Sequence, residues 1–510
     1  MQYIRAGIWQ KYNYLNYFLF YSLPPDTPTG LMQKRQGLIE AVEDFQNSYP
    51  LQFHLPSHSG RYINQSFRDL VVKYGVKKID GCWLAMHNVE GLDFEGARLG
   101  DLGDIYHKPF GSQLSLFLQN GSTIGNQIVS LCLAKKKVLI QTNSHISIYS
   151  GLQLAGAQIV QIQPEYNPDY DMYMPVTPQQ IQEALLNDAE IGVVYLTSPN
   201  MEGLVADYPA IRQICQPNNV LLIVDEAHGA HFYFNKQMPV GALKSGADAT
   251  VCSVHKTLGA LSASALINVS KNSRLPASKV QDAYHLLNTT SPSPLLLADV
   301  ESCVRTLKDD GGLIIDRAIQ LNKKLRDAVR QLPAVTVAEF EGFKADPTKT
   351  VIKIRGLTGH ELSDILDVMR INIEKSTEKC IVITCHINIS EEDIESLINA
   401  ITQIAREHGI EDESMSFGDA AAAESEYQKI NPIYKKILLN RRYKVDIRDV
   451  LASESELLPA NECLGRISAE IKYKCPPGFP VLVYGEEILQ EHVELFGTKE
   501  KLKVMKPTQH

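Results

Sequence analysis

Val220-Leu-Leu-Ile-Val-Asp-Glu-Ala-His228 is an apolar run that ends abruptly on two carboxylates and a histidine. A short run that is apolar at every position points to a strand buried on both faces, because a strand with one wet face alternates. Four more short, mainly apolar runs follow the same pattern: Lys137–Ile140, Gln158–Gln161, Gly192–Leu196 and Ala263–Ile267. Polar helical stretches separate them, so the region from Leu114 to Ala265 is predicted to be an α/β unit with a mostly parallel sheet. Polar loops follow the carboxyl ends of these runs at Gln141–His145, Thr197–Asn200 and Asp225–His228. Ligands bind at such ends in open α/β sheets, so the chemistry is expected there.

The surrounding chain is ordinary. Its 510 residues suggest roughly three domains at about 150 residues each. With 44% hydrophobic and 21% charged residues, a large core is available, and collagen-like, coiled-coil and globally disordered chains are excluded. A net charge of −9 argues against a nucleic-acid partner. No run reaches the roughly 20 apolar residues of a membrane span. Nine scattered cysteines with no C-x-x-C pair suit reduced, packed thiols, and a cytoplasmic enzyme is expected.

The expected order is an aromatic arm over 1–30, which includes YNYLNYFLFYSL, and an α/β domain over 31–312. A smaller α+β domain over 313–410 follows, then an acidic, Ser/Ala-rich linker over 411–430 and a C-terminal α+β domain over 431–510. The arm lacks the continuous apolar core of a signal peptide and is expected to dock on this subunit or a partner.

Four features carry the chemistry. Lys256, in Ser253-Val-His-Lys-Thr-Leu258, lies between apolar segments, and a buried lysine tends towards a neutral, nucleophilic amine. Asp225 ends a buried run 31 residues earlier. Asp225-Glu-Ala-His-Gly-Ala-His231 also offers metal donors in His228 and His231. An aspartate that keeps a pyridine nitrogen protonated, with a lysine that holds an aldehyde, suits pyridoxal phosphate better, so no metal is expected. Asn120-Gly-Ser-Thr-Ile-Gly-Asn126 opens a helix with small polar residues, a cradle for an anion that lacks the Walker G-K-[ST] ending. His145, at a strand end, can stack on a planar ring. Each feature alone is more often structural; their succession on strand ends is what points to a cofactor site.

These residues resemble the pyridoxal-phosphate-dependent ornithine/lysine/arginine decarboxylases. The likeness runs through Phe117–Thr123, Asn143–His145, Gly151–Gly156, Leu196–Pro199, Val224–Phe232, Ser253–Leu258 and Thr289–Pro292. It continues into the tail at Gly465–Glu470 and Pro476–Pro480. The resemblance implies the fold type I of the aspartate aminotransferases: a large, mostly parallel, seven-stranded type of sheet, a small α+β domain and the family's C-terminal domain. It implies Lys256 as the covalent anchor, Asp225 against the pyridine nitrogen, and His145 and Ala227 on the two ring faces. His228 would lie near the phenolic oxygen. Gly121, Ser122, Thr123, Ser253 and His255 would hold the phosphate, helped by Thr289 of a neighbouring subunit, so a homodimer or a larger even-numbered oligomer is expected. The implied reaction is α-decarboxylation of arginine, lysine or ornithine, in polyamine-related metabolism, with His58 and Glu486 as candidate substrate contacts.

The departures fall around substrate entry. The family's P-G-H-K-x-G is Pro56-Ser-His-Ser-Gly60 here; Ile146, Ala263 and Pro294 replace the usual lysine, glutamine and aromatic. An aminotransferase, a specialised decarboxylase or a degenerate paralogue therefore stays open as an alternative.

Overall fold

The computed structural model describes residues 37–48, 50–82, 92–93, 98–99, 103–408, 426–474 and 479–507. The aromatic arm, most of the acidic linker and Cys475–Gly478 lie outside the described residues. Seven strands form the central sheet: β1 (Ser112–Leu118), β2 (Lys137–Gln141), β3 (Gln158–Ile162), β4 (Ile191–Thr197), β5 (Leu221–Asp225), β6 (Ala249–Ser253) and β7 (Ala265–Ser270). Their order is β1-β7-β6-β5-β4-β2-β3. All pairings are parallel except those of β7, which runs against both neighbours. The all-apolar runs have the expected cause: Val193, Val194, Leu222, Ile223, Val251 and Leu266 are completely buried in one core.

Two helices descend from strand ends and position the site. Helix α1 (Gly121–Leu131) follows β1, and α2 (Ile146–Leu154) follows β2. They pack closely because Gly151 has no side chain; a Cβ there would lie 2.9 Å from the Gln127 Cα and 2.8 Å from Ser130 Oγ. Gly125 likewise admits Leu118 and Val251, each 2.6 Å from where a Cβ would stand.

A second core lies around an antiparallel sheet of Val335–Val337, Lys349–Ile354, Ile381–Thr384 and Lys375–Ser376. The helix Glu391–His408 covers it, as its periodicity predicts. Two placements differ from the sequence expectation. Helix α3 runs unbroken over Pro294–Val329, so the boundary expected at 312/313 falls inside a helix. Gly311 does not break it, because its bare backbone packs against Phe234. Leu51–Phe53, expected with the large domain, adds in parallel to Ile371–Ile373, with Phe53 buried in the second core.

The C-terminal region begins with the helix Glu426–Asn440, which starts inside the expected linker. Two antiparallel pairs form there, Ser455–Pro459 with Lys501–Met505 and Lys472–Lys474 with Phe479–Leu482. It is tied to the central sheet by Arg441 Nη1, which donates to Gln161 Oε1 at 2.7 Å, and by Gln153 Nε2, which donates to the Tyr484 carbonyl at 2.7 Å.

Candidate active site

The carboxyl ends of β2, β5 and β6 bring Lys256, Asp225, His228 and His145 together. Lys256 lies in a one-turn helix, Val254–Thr257, directly after β6, and its Nζ is 3.2 Å from His228 Nε2. Burial pushes the Lys256 amine below the ordinary lysine range, Asp225 and Glu374 oppose that shift, and Lys349 adds to it. His228 is held neutral, far below the usual histidine value, first by burial and then by Lys256 and Lys349. Its Nδ1 is buried without a hydrogen-bond partner among the described residues.

Asp225 is 2% exposed, and burial raises its pKa against the pull of Lys256. Two donors hold the carboxylate in place: Asn126 Nδ2 at 2.9 Å to Oδ2 and the Ala227 backbone N–H at 3.2 Å to Oδ1. In the sequence Asn126 is simply the end of the Gly-punctuated turn, and nothing there names its link to Asp225. Its Nδ2 also reaches Ser147 Oγ at 2.9 Å, and its Oδ1 accepts from Tyr195 at 2.8 Å. Ser147 Oγ in turn lies 2.8 Å from His145 Nδ1. One buried amide thus fixes both the aspartate and the histidine. A polar residue between the buried Ile124 and Ile128 of α1 is the signal that marks it. Surrounding protein and the Lys256 charge lower the His145 pKa to about 4, so the ring is neutral, although its outer face is open.

The Gly-rich turn is the amino end of α1. Gly121 has φ +66°, and a Cβ added there would meet nothing within 4 Å. Its N–H donates to the Ala263 carbonyl at 2.7 Å, which joins this turn to the segment after Lys256. Ser253 is completely buried, with Oγ unpartnered among the described residues. His255 has Nδ1 committed to the Ser264 carbonyl at 2.8 Å, and burial lowers its pKa to about 4.

A model of the Orn/Lys/Arg decarboxylase major domain matches residues 37–351. The chain belongs to the ornithine/lysine/arginine decarboxylase family. An arginine decarboxylase of Bacillus anthracis is 28% identical over 479 residues, which cover 91% of this chain and 93% of that protein. The constitutive lysine decarboxylase of Escherichia coli is 21% identical over 487 residues, 78% of this chain and 67% of that protein. Its solved structure has the same fold, with a TM-score of 0.63 over 91% of this chain and 83% of that one.

Members of the Orn/Lys/Arg decarboxylase family are pyridoxal-phosphate enzymes of fold type I, and the residues present here fit that cofactor. The unpartnered Ser253 Oγ and the open, positive-φ turn at Gly121, on the amino end of α1, supply donors for a phosphate. Asp225 supplies a fixed anion for a pyridine nitrogen, and Lys256 an amine for an aldehyde. Ser122 and Thr123 sit on the first turn of α1, and Ala227 follows β5.

The remaining expected contacts divide between the site and elsewhere. His58 lies beside the Lys256 turn, because Ser57 N–H donates to the His255 carbonyl at 3.1 Å and Ser57 Oγ accepts from Gly259 N–H at 2.9 Å. Thr289 is exposed, and its Oγ1 accepts from Ser291 N–H. Glu486 does not join the site. It is completely buried in the C-terminal region, 2.9 Å from Arg441 Nε, and also accepts from Val483 N–H at 3.1 Å. The Gly-Glu-Glu motif marks a structural ion pair, and the carboxylate is enclosed by the C-terminal region itself. His231 turns from Lys256 to Asp346, 2.9 Å from Nε2.

Proposed function

We propose that this family member decarboxylates L-arginine at Cα to agmatine and carbon dioxide. The observation that carries the substrate class is similarity along nearly the whole chain: 28% identity over 91% of it to an arginine decarboxylase, against 21% over 78% to a lysine decarboxylase. Bound pyridoxal phosphate supplies an aldehyde that takes up amines and a ring that accepts the electrons of a breaking Cα–carboxylate bond.

The chain's own residues set the conditions. Asp225, fixed by Asn126 and Ala227, would hold a proton on the pyridine nitrogen and so keep the ring electron-poor. His145 would cover one ring face and limit water there. Lys256 would hold the cofactor at rest and yield it to the substrate amine. Its freed Nζ, 3.2 Å from the neutral His228, is then the group placed to return a proton to Cα.

The exposed Thr289 supports active sites completed across a homodimer or a larger even-numbered assembly. So does the helix Leu38–Ser48, which buries no residue and exposes Leu38, Ile39, Val42 and Phe45. Eight of the nine cysteines lie among the described residues, all of them free and seven buried, which favours a reducing, cytoplasmic setting. No helix of the described residues is long and apolar enough to cross a membrane. Agmatine as product would place the enzyme in polyamine supply.

The test supplies the full-length protein with pyridoxal phosphate and L-arginine, L-lysine, L-ornithine and neutral amino acids. Carbon dioxide and the matching amine should form fastest from arginine. An α-keto acid product would indicate transamination and overturn the proposal.

A further inference from the structure

Tyr149 is completely buried on α2, four residues after His145. Its hydroxyl donates to the Thr142 carbonyl at 2.9 Å, at the start of the short loop that ends on His145. The same oxygen accepts from Gln161 Nε2 on β3. Gln161 Oε1 accepts in turn from Arg441 Nη1, and Glu486 holds the other side of that guanidinium at Nε. A single file of hydrogen bonds therefore runs from Arg441 through Gln161 and Tyr149 to Thr142. It starts in the C-terminal region and stops three residues short of His145.

The direction of the file is fixed at both ends. A guanidinium only donates and a carbonyl only accepts, so each group between them must accept on one side and donate on the other. Arg441 thereby fixes which way the Gln161 amide faces, and the amide keeps the Tyr149 proton on Thr142. The loop is also held by Thr142 N–H on the Ile162 carbonyl at 2.9 Å and by Ser144 N–H on the Gln141 carbonyl at 3.0 Å. Tyr149 adds a tie on the carbonyl side, and this one leads out of the central sheet. At its far end α2 meets the same C-terminal region, where Gln153 Nε2 donates to the Tyr484 carbonyl. His145 is open on its outer face, so its ring takes its place from the loop and from Ser147.

Resting on the reading that His145 covers the cofactor ring, we propose that the C-terminal region positions His145, with Arg441, Gln161 and Tyr149 as the positioning residues that set the Thr142–His145 loop. They take no part in bond breaking. Their function is to make docking of the C-terminal region a condition for firm retention of pyridoxal phosphate.

The test uses the full-length holoprotein and follows release of pyridoxal phosphate by the absorption and circular dichroism of its bound band. Tyr149→Phe should release the cofactor about five-fold faster or more, with a weaker dichroic band. Gln161→Glu should do the same. It still accepts from Arg441, but it draws the Tyr149 proton to itself and leaves the Thr142 carbonyl without that donor. This variant decides the matter if Tyr149→Phe fails to fold. In a His145→Ala background, Tyr149→Phe should change release by no more than about two-fold, because the group it positions is gone. Wild-type release from either single variant, or an equal effect with and without His145, overturns the proposal. Arg441→Met combined with Glu486→Gln frees the Gln161 amide to turn and should also speed release; wild-type release there overturns the role of the C-terminal region. If the wild type binds no pyridoxal phosphate, the cofactor reading fails separately. The loop is then judged by hydrogen exchange in the apoprotein. The amides of Thr142 and Ser144 should exchange at least about five-fold faster in Tyr149→Phe and Gln161→Glu than in the wild type; equal exchange overturns the proposal.

Discussion

Asn126 Nδ2 lies 2.9 Å from Asp225 Oδ2, inside the core and 99 residues away along the chain. The same nitrogen reaches Ser147, which holds His145. A buried carboxylate that loses a donor costs about 1–3 kcal/mol, and each 1.4 kcal/mol is about ten-fold in affinity. Asn126→Ala should therefore weaken pyridoxal phosphate binding by roughly ten-fold or more, read by titrating the apoprotein and following absorption. Asn126→Asp should be worse than alanine, because a second carboxylate against Asp225 opposes the charge that the ring nitrogen needs. Equal binding by wild type and both variants would remove Asn126 from this role.

Glu226, next to Asp225, is completely buried, and burial raises its pKa to about 8. It accepts from the Tyr233 hydroxyl at 2.6 Å and from Ala242 N–H at 2.8 Å. Between its ordinary value of 4.5 and about 8, the folded chain keeps a proton that the unfolded chain has released. Stability from this group is fully present below the unfolded pKa and is lost as pH rises through about 8, at about 1.4 kcal/mol per unit of pKa difference. Denaturation curves at about pH 5 and about pH 8 should show this decline in the wild type and a flatter profile in Glu226→Gln. A variant as pH-sensitive as the wild type would contradict the assignment.

The Arg441–Glu486 pair is buried on both sides. Removing one partner strands a buried charge, so Arg441→Met should destabilise by about 3–5 kcal/mol, and adding Glu486→Gln should restore part of the loss. Glu486→Gln alone should leave KM for the substrate unchanged. A selective rise in KM with normal stability would return Glu486 to substrate binding.

Gly151 lets α2 rest on α1, and hence sets His145 relative to the Gly121 turn. Because the obstacle to a Cβ includes the Gln127 backbone, Gly151→Ala should cost about 1–3 kcal/mol and lower the melting temperature. Cofactor affinity should fall with it, since both ends of the cofactor site ride on these helices.

The strands of the central sheet and the trio Lys256, Asp225 and His145 could be read from sequence for a local reason. Apart from the edge strand Gln158–Ile162, which buries no residue, each run carries its burial in its own apolar residues, and each reactive group directly follows one. What escaped depends on distant pairing. Leu51–Phe53 joins Ile371–Ile373 across more than 300 residues, and nothing within either segment names the other. Gly311-Gly312 looks like a break until Phe234 is seen packed on it. At Glu486 the sequence shows a carboxylate near a turn but not its pairing with Arg441, 45 residues away.

The central claim, that Lys256 is the covalent anchor of pyridoxal phosphate, is tested most directly by borohydride reduction of the holoprotein followed by peptide mapping. The account predicts one pyridoxyl label per chain, on Lys256, with no label in Lys256→Ala. A label fixed on another lysine, or none in a protein that has bound the cofactor, would contradict it.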